Sequence, residues 1–360
     1  MFVLDSHCDT PSQLLRLLDP GKDNPRSHVD FPKLRAGGVD AAFFALYTPN
    51  SLAPDAATRY ALQMLAAVYD AVQAHPESVA MAFSPDEAMA NKAAGRTSIL
   101  LGMENGSPIQ ESLSLLRQFY RMGVRYVTLT HNGDNAIADS AAEGTHWHGL
   151  SPFGKKVVAE MNRLGMIVDT AHVSDETFFD CIRHSKAPVV STHSCCRALA
   201  SHRRNMSDDM LRALSDAGGV IQINFYPVFL SDAFARTLAA SGLEERMDVE
   251  AAWIADPADP QKRAAWYALQ DELASLDRPS CQRVVDHIDH AVEVAGIDSV
   301  GIGSDFDGIE VTPRGLENIA CLGAVFEEMR RRGYSETEIA KVAGGNFLRV
   351  FNEVIRLAQP

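Results

Sequence analysis

Seven side chains able to bind metals or move protons follow short apolar runs of the sequence. They are His7, Asp9, Glu104, His131, His172, His193 and Asp305. Imidazole nitrogens and carboxylate oxygens, with no thiolate among them, are the donors of an open site for zinc or a similar divalent ion. Two such ions that share a water lower the pKa of that water and polarise a carbonyl group. The residue types therefore predict hydrolysis of an amide bond by a metal-bridging hydroxide.

The spacing of the individual ligands agrees with two metal ions. His7 and Asp9 alternate along an extended segment, so both side chains project to the same side. Glu104 follows an apolar run, and a carboxylate can bind two cations roughly 3.5–4 Å apart through its two oxygens. His172 and His193 follow two consecutive apolar strands. We therefore predict that His172 and His193 are ligands of a second ion.

Three further motifs suggest the residues that act on the substrate. Asp305 is a candidate base that orients the water and carries its proton, while Asp307 is an equally good structural acid of the loop, and spacing only slightly prefers Asp305. His131 is either a donor to the developing oxyanion or a core histidine. Arg203 and Arg204 form a basic pair in an acidic protein. One of them would bind a substrate carboxylate, unless both are solvated surface residues.

Two other pairs of histidines have the spacing of metal ligands without the right location. His146 and His148 lie on a glycine-rich loop away from any predicted strand end. His287 and His290 are three residues apart on a charged helix, where a solvated face is expected. Neither pair is predicted to bind metal.

The alternation of apolar runs predicts eight strands separated by helices. The strands are expected at Phe2–Leu4, Ala41–Leu46, Ser98–Met103, Tyr126–Leu129, Met166–Val168, Val189–Ser191, Val220–Asn224 and Val300–Gly303. The helices between them are expected at Pro54–Ala74, Ile109–Met122, Pro152–Leu164, Asp175–Ser185 and Ser207–Ala217. This pattern is typical of an α/β fold of the (β/α)8 TIM-like barrel type, with a doubly wound sheet as the weaker alternative. In such a barrel the carboxyl ends of all strands meet at one rim, so the seven side chains become neighbours.

A single barrel domain over residues 1–360 is expected, because no stretch rich in Pro, Gly or Ser divides the chain. The connection between the seventh and eighth strands, residues 225–299, is much longer than the others. It contains the helical stretches Asp248–Leu276 and Gln282–Ala295, which predict a helical insertion that serves as a lid or a subunit contact. Two further helices are expected to complete the ring, at Ile319–Arg332 and Ser335–Leu357.

The composition favours a protein that acts on small molecules. In 360 residues, 33 basic and 47 acidic side chains give a net charge of −14, which repels phosphate backbones and anionic lipid surfaces. The longest apolar run is far shorter than the roughly 20 residues of a membrane span, and the first residues do not read as a signal peptide. Six scattered cysteines fit reduced thiols. The sequence therefore predicts a soluble, cytoplasmic protein without nucleic-acid or membrane partners.

The motifs that carry these residues occur together in one known family. In chain order they are DSHCDT, GMENG, YVTLTHN, IVDTAHVS, VVSTHS, SHRRNMSDDML, INFY, GIGSDFDG and GGNFLRVF. This ordered set resembles the membrane (renal) dipeptidase family of binuclear zinc peptidases, in its soluble bacterial form. The resemblance implies an amidohydrolase-type barrel and hydrolysis of dipeptides, including L-Xaa-D-Xaa dipeptides. It also suggests a homodimer.

The resemblance assigns roles to the metal ligands. It implies that His7 and Asp9 hold one Zn²⁺ ion and that His172 and His193 hold the other. Glu104 would bridge the two ions together with a water or hydroxide.

The residues expected to act on the substrate follow from the same resemblance. His131 corresponds to the histidine that contacts the substrate carbonyl, and Asp305 to the acid that handles the proton. Arg204, rather than Arg203, matches the arginine that binds the C-terminal carboxylate of the substrate. Cys8 stands where the family usually has asparagine. Because its side chain should point away from the metals, changed packing rather than lost ligation is expected there.

Two other functions remain compatible with these residues. A metal-dependent deacylase of N-acyl amino acids on the same barrel would keep the metals and Arg204 but need no free amino group on its substrate. A catalytically inactive binding or tailoring homologue would keep the barrel alone. The presence of every expected ligand in the sequence argues against this second alternative.

Overall fold

Short apolar segments of the chain form parallel strands. The computed structural model describes residues 1–16 and 18–359. Over these residues the strands are β1 (Leu4–Cys8), β2 (Ala41–Tyr47), β3 (Val79–Met81), β4 (Thr97–Glu104), β5 (Val124–Thr128), β6 (Ile167–Asp169), β7 (Val190–Ser194), β8 (Val220–Ile223) and β9 (Val300–Ile302). Every residue of β1, β4, β6, β7, β8 and β9 is buried. This is expected of parallel strands that are covered by helices outside and by side chains inside.

The strands form a nearly closed barrel. Neighbouring strands pair in parallel in the order β1-β2-β4-β5-β6-β7-β8-β9. The two ends of this order meet through a parallel bridge between Cys8 and Phe306. Across the same seam, the Asp9 amide donates to the Phe306 carbonyl at 2.8 Å and the Asp305 amide to the His7 carbonyl at 3.0 Å. The predicted (β/α)8 barrel is confirmed, and the doubly wound alternative is wrong.

Helices surround the barrel and cover part of its rim. They are α1 (Thr10–Leu15), α2 (Phe31–Ala36), α3 (Pro54–Ala74), α4 (Pro85–Ala93), α5 (Leu113–Arg121), α6 (Pro152–Leu164), α7 (Asp175–His184), α8 (Asp208–Asp216), α9 (Pro227–Leu230), α10 (Asp232–Ser241), α11 (Asp248–Ala255), α12 (Pro260–Ser275), α13 (Cys281–Ala295), α14 (Gly323–Arg331), α15 (Glu336–Ala340) and α16 (Asn346–Arg356). Local sequence fixes several starts: Ser151 accepts a hydrogen bond from the Gly154 amide, and Pro152 begins α6. Among the described residues, none of the helices is both long and apolar enough to cross a bilayer.

The helices from α9 to α13 lie between β8 and β9. Trp253 of α11 and Trp266 of α12 belong to an apolar cluster separate from the barrel core, whereas α13 packs on the barrel itself. Arg16, just after α1, connects the barrel to the cluster of inserted helices. Its Nη2 atom lies 3.0 Å from Glu250 Oε1, and its guanidinium lies 4.7 Å from the centre of the Trp253 ring. The inserted helices are therefore attached beside the mouth of the barrel.

Two strands differ most from the prediction. β1 covers Leu4–Cys8 instead of Phe2–Leu4, because its polar residues Asp5, Ser6 and His7 are buried and yet break the apolar pattern that marks a strand. The short strand β3 (Val79–Met81) is absent from the predicted set, since three residues are too few to show a period. It pairs with Thr97–Ile99 at the start of β4.

Two predicted helices are interrupted. Asp248–Leu276 is divided into α11 and α12 around Pro257 and Pro260, because proline supplies no amide hydrogen to continue a helix. Ser335–Leu357 is divided at a wide turn, Lys341–Gly345. Within that turn Gly344 packs against β1, and a Cβ atom there would lie 2.8 Å from the Phe2 carbonyl oxygen.

Candidate metal centre and active site

The carboxyl ends of the strands bring the seven predicted side chains to one rim. His7 lies within β1, Glu104 is the last residue of β4, and His193 lies within β7. The other four lie in the loops after β1, β5, β6 and β9, and they are Asp9, His131, His172 and Asp305. Each loop residue is separated from its strand by no more than two residues, so the rigid barrel fixes the position of the whole group.

Glu104 lies between the histidines with its two oxygens facing different partners. Its Oε2 atom is 3.6 Å from Nε2 of His7. Its Oε1 atom is 3.0 Å from Nε2 of His172 and 3.5 Å from Nε2 of His193. All four residues are buried. A carboxylate so placed is arranged to contact two cations at once.

The remaining carboxylates lie on the His7 side of Glu104. Nε2 of His7 is 3.3 Å from Asp9 Oδ2 and 3.9 Å from Asp305 Oδ1. Three overlapping groups have ligand atoms within 4.8 Å of one another, namely His7 with Glu104 and His193, His7 with Asp9 and Asp305, and Glu104 with His131 and His172. His131, which the family resemblance assigns to the substrate carbonyl, therefore also lies close to other candidate ligand atoms.

Several buried atoms of this cluster have no hydrogen-bond partner among the described residues. They are Nε2 of His7, Oδ1 of Asp9 and Nε2 of His193. Leaving a buried polar atom unpaired costs roughly 1–3 kcal/mol. Coordination of a cation would satisfy such atoms, and imidazole with carboxylate is a donor set that suits zinc and similar ions. The residues present therefore fit a divalent metal.

Burial and neighbouring charges perturb the ionisation of these groups. Burial, reinforced by nearby positive charge, lowers the pKa of His172 and of His193 well below the ordinary value. Burial alone would also lower the pKa of His7, but the carboxylates of Glu104 and Asp9 raise it well above the usual range. Burial, followed by repulsion from Glu104, raises the pKa of Asp9 to about 7. Neutral imidazoles can bind a metal ion, and the positive charge of the ion would relieve the repulsion between the carboxylates.

Each of the three histidines next to Glu104 is also held through its other ring nitrogen. The partners of Nδ1 are the Tyr126 hydroxyl at 2.8 Å for His7, the Asn132 Oδ1 atom at 3.2 Å for His172, and the Thr192 hydroxyl at 2.9 Å for His193. Sequence reasoning missed these partners. Asn132 and Thr192 are next to predicted site residues in the chain, and this adjacency could have identified them. Tyr126 is distant from His7 in the sequence, and only the folded barrel brings the two together.

Asp305 faces the cluster, whereas Asp307 holds loops together. Oδ2 of Asp305 accepts a hydrogen bond from Asn224 at 2.8 Å, and burial raises the pKa of Asp305 to about 7. Asp307 accepts from the Thr10 hydroxyl at 2.8 Å and from the His28 amide at 2.7 Å. Both residues have a φ of 65°, a conformation that non-glycine residues rarely adopt, so the hydrogen bonds and not the backbone distinguish them.

Arg204 and Arg203 have different surroundings. Arg204 is buried, donates to the His193 carbonyl at 3.2 Å and lies over the Phe229 ring at 5.3 Å. Burial lowers its pKa to about 10, so its guanidinium stays charged near neutral pH. Arg203 is exposed and donates to the Ala142 carbonyl at 3.0 Å. Of the two, Arg204 is the arginine next to the histidine cluster.

These groups open into one cavity of about 600 Å³, which we call the catalytic cavity. Five of the seven predicted residues line it with Arg204, namely Asp9, Glu104, His131, His172 and Asp305. Residues of the inserted helices, among them Phe229, Leu238, Glu250 and Ile254, form another part of its wall. Its size suits a small ligand with few residues.

The sequence prediction is wrong about the exposure of one histidine outside the cavity. His287 is fully buried rather than on a solvated face. Its Nδ1 atom accepts from the Cys196 amide at 3.1 Å, and its Nε2 atom lies 3.1 Å from the Leu230 carbonyl oxygen. The charged helix α13 turns this residue toward the barrel, where it connects two loops. His146 and His148 belong to none of the ligand groups found in the part of the chain that the structure describes.

Comparison with known proteins identifies relatives over the full chain. The model of the membrane dipeptidase family, peptidase family M19, matches residues 1–360. Two relatives from Schizosaccharomyces pombe, both named uncharacterised dipeptidases, are 32% and 33% identical to this chain. The alignments cover 97% and 98% of this chain and 80% of each relative.

Solved structures show the same fold. The probable dipeptidase PvdM from Pseudomonas aeruginosa superimposes with a TM-score of 0.83 at 29% identity, covering 99% of this chain and 96% of that one. A dipeptidase described as a metallo peptidase of family M19 gives a TM-score of 0.79 at 25% identity, with 98% of each chain covered. A metallo peptidase from Rhodobacter sphaeroides, solved with a phosphinate mimic of L-Ala-D-Ala, has a TM-score of 0.81 at 24% identity over 98% of this chain and 99% of that one, and it supports the shared fold alone.

Proposed function

We propose, since the chain belongs to the membrane dipeptidase family, that this metal-dependent dipeptidase uses two zinc ions bridged by Glu104. His7 and Asp9 would hold one ion, and His172 and His193 the other. The observation that carries the proposal is the separation of the Glu104 oxygens, with Oε2 toward His7 and Oε1 toward His172 and His193. Manganese or cobalt would use similar donors, so the identity of zinc rests on the family resemblance and the ligand types.

Two divalent cations at this place supply an activated water near neutral pH and a polarised substrate carbonyl. The protein positions the dipeptide around them. Arg204 is the buried cation next to the cluster, and it would pair with the C-terminal carboxylate of the substrate. A dipeptide anchored by this carboxylate would present its single peptide bond to the ligand cluster. A substrate held at both termini would leave no room for a third residue, which would select dipeptides over longer chains.

Two residues are proposed to act at the reacting atoms. Asp305 would take a proton from the attacking water and deliver it to the leaving amine, because its Oδ1 atom points toward the cluster while Asn224 holds Oδ2. His131 would donate a hydrogen bond to the oxyanion that develops on the substrate. Burial and the nearby Arg204 lower the pKa of His131 to about 3, so it would act as a neutral donor.

The proposal is tested by metal content and substrate preference together. Purified protein is dialysed and analysed for zinc, then assayed on L,L- and L,D-dipeptides with and without an N-acetyl group. We expect about two zinc ions per chain and cleavage of the uncapped dipeptides. Preferential cleavage of the N-acetylated substrates would instead indicate the deacylase, and protein that takes up no zinc would refute the metal site.

A pair of isosteric variants makes the test specific. Glu104→Gln removes the charge of the bridging residue and is expected to reduce zinc content below two. Glu77→Gln changes an exposed glutamate outside the cavity and is the matched control. Equal zinc content in the two variants would contradict the bridging role. The domain limits, the cytoplasmic location and the homodimer remain predictions from the sequence.

A further inference from the structure

Asp169, the last residue of β6, is a buried carboxylate that does not line the catalytic cavity and, among the described residues, forms no salt bridge with a basic side chain. It is surrounded by hydrogen-bond donors. Its Oδ1 atom accepts from the amides of Ala171 at 3.0 Å and Thr192 at 2.9 Å. Its Oδ2 atom accepts from the hydroxyls of Thr128 at 2.5 Å and Thr192 at 2.6 Å. Asp169 thereby joins three adjacent strands, β5, β6 and β7.

These contacts determine the direction of the hydrogen bond between the Thr192 hydroxyl and His193. An ionised carboxylate only accepts hydrogen bonds, so the Thr192 hydroxyl must donate its single proton to Asp169. The Thr192 oxygen lies 2.9 Å from Nδ1 of His193 and can then only accept from it. His193 is thereby held in the tautomer with its proton on Nδ1. Its Nε2 atom carries the lone pair and lies 3.5 Å from Glu104 Oε1.

We propose that Asp169 is a positioning residue that acts through the Thr192 hydroxyl to keep Nε2 of His193 ready to bind metal. The proposal rests on the proposed function, because it requires His193 to be a metal ligand. Nε2 of His193 is buried without a hydrogen-bond partner among the described residues, which fits an atom reserved for coordination. Partners behind a ligand histidine commonly set its tautomer and ring orientation.

Comparison with His172 shows what Asp169 adds at His193. The Asn132 Oδ1 atom is an amide oxygen that can only accept, so it fixes the His172 tautomer directly. A threonine hydroxyl both donates and accepts, so on its own it would allow either tautomer of His193. Asp169 excludes the second tautomer, because the Thr192 hydroxyl donates its only proton to the Asp169 carboxylate.

Asp169→Asn reverses the direction of this relay at almost constant shape. The amide oxygen of the new side chain would stay with the two backbone amides of Ala171 and Thr192, which places its NH2 group against the hydroxyls. The NH2 group would donate to the Thr192 oxygen, and Thr192 would donate to Nδ1 of His193. The proton of His193 would then lie on Nε2, where it blocks coordination. We expect the zinc site of His172 and His193 to weaken about 10–100-fold, while the site of His7 and Asp9 is retained.

Zinc affinity is measured by competition with a chromophoric chelator, on protein whose folding is checked by circular dichroism. Thr128→Val is the matched control, because it removes a hydrogen bond to the same Asp169 oxygen without touching the relay. It is expected to lower thermal stability and to leave both zinc affinities unchanged. Unchanged zinc affinity in folded Asp169→Asn would overturn the proposal.

A second pair of variants decides the question if Asp169→Asn does not fold. Thr192→Val removes the relay hydroxyl and is expected to weaken one zinc site at least tenfold, and Thr192→Ser is expected to restore it. Wild-type zinc affinity in Thr192→Val would also overturn the proposal. Wild-type protein that binds no zinc, or a His193→Ala variant that still binds two ions, refutes the proposed metal site and the inference with it. Failure of the Asp169 and Thr192 variants alone refutes the inference and leaves the proposed function standing.

Discussion

Replacement of Gly102 by alanine tests whether packing inside the barrel positions the proposed metal ligands. Gly102 in β4 is paired directly with Tyr126 in β5. A Cβ atom on Gly102 would overlap the Tyr126 ring and lie 2.5 Å from its hydroxyl oxygen. β4 is paired with strands on both sides and cannot move away, so the ring must shift. The hydrogen bond between the Tyr126 hydroxyl and Nδ1 of His7, 2.8 Å long, would then be lost.

Two separate effects of known size should result. Inserting a methyl group into a packed core costs roughly 1–3 kcal/mol of the free energy of unfolding. Loss of the partner behind a ligand histidine reduces metal affinity about 10–100-fold. Gly102→Ala should show both effects. Tyr126→Phe, which keeps the ring and removes the hydroxyl, should show mainly the second.

The assay is a double-mutant cycle of Gly102→Ala and Tyr126→Phe, read by urea unfolding and by zinc competition. Because both changes break the same hydrogen bond, their effects on zinc affinity should not add in the double variant. Gly323→Ala is the control, since no atom lies within 4 Å of a Cβ built at this helical glycine. Fully additive losses of zinc affinity, or wild-type stability and affinity in Gly102→Ala, would refute the reasoning.

Three other changes have defined outcomes. Arg204→Lys should lower kcat/KM for a dipeptide about 10–100-fold, because the planar guanidinium is lost; an equal loss with the C-terminal amide would show that this residue does not bind the carboxylate. Burial raises the pKa of Glu310 from 4.5 to about 7, so its protonated form adds stability that is complete below about pH 4.5 and lost as the pH rises through about 7. Glu310→Gln should therefore raise the melting temperature relative to wild type at pH 8.5 and have less effect at pH 5, and the opposite order would refute the assignment. Removal of metal by a chelator should lower the melting temperature, and added zinc should restore it in proportion to the logarithm of its concentration; a melting temperature insensitive to zinc would contradict tight binding to the folded state.

The barrel was predictable because its signal is local and repeated. Apolar runs such as Ala41–Leu46 lie between amphipathic stretches such as Pro152–Leu164, and the observed β2 and α6 nearly coincide with them. Three-residue β3 carries too little pattern to be recognised. The split of Asp248–Leu276 was visible in Pro257 and Pro260, whose effect on helices outweighs the helical composition around them.

The candidate site was predictable to the extent that its residues stand at strand ends. The rule that these ends converge was enough to group His7, Glu104 and His193, although they are far apart in sequence. The groups behind them were not predictable, because a contact such as Tyr126 to His7 depends on the register between strands. The prediction that His287 is solvated was wrong for a similar reason, because the charged residues around it do not indicate which face of α13 packs inward.

Closure of the barrel between its first and last strands has a consequence for biosynthesis. The hydroxyl of Ser6 in β1 donates to the Ile302 carbonyl of β9, which is 296 positions later in the chain. At about 5–20 residues per second, a ribosome needs roughly 15–60 s to add that many residues. During this interval β1 has β2 as a partner on one side and an open edge on the other. His7 and Asp9 emerge first, yet the wall that buries them is synthesised near the end. We therefore expect stable loading of the ion that is proposed to bind His7 and Asp9 to come late in translation or after release.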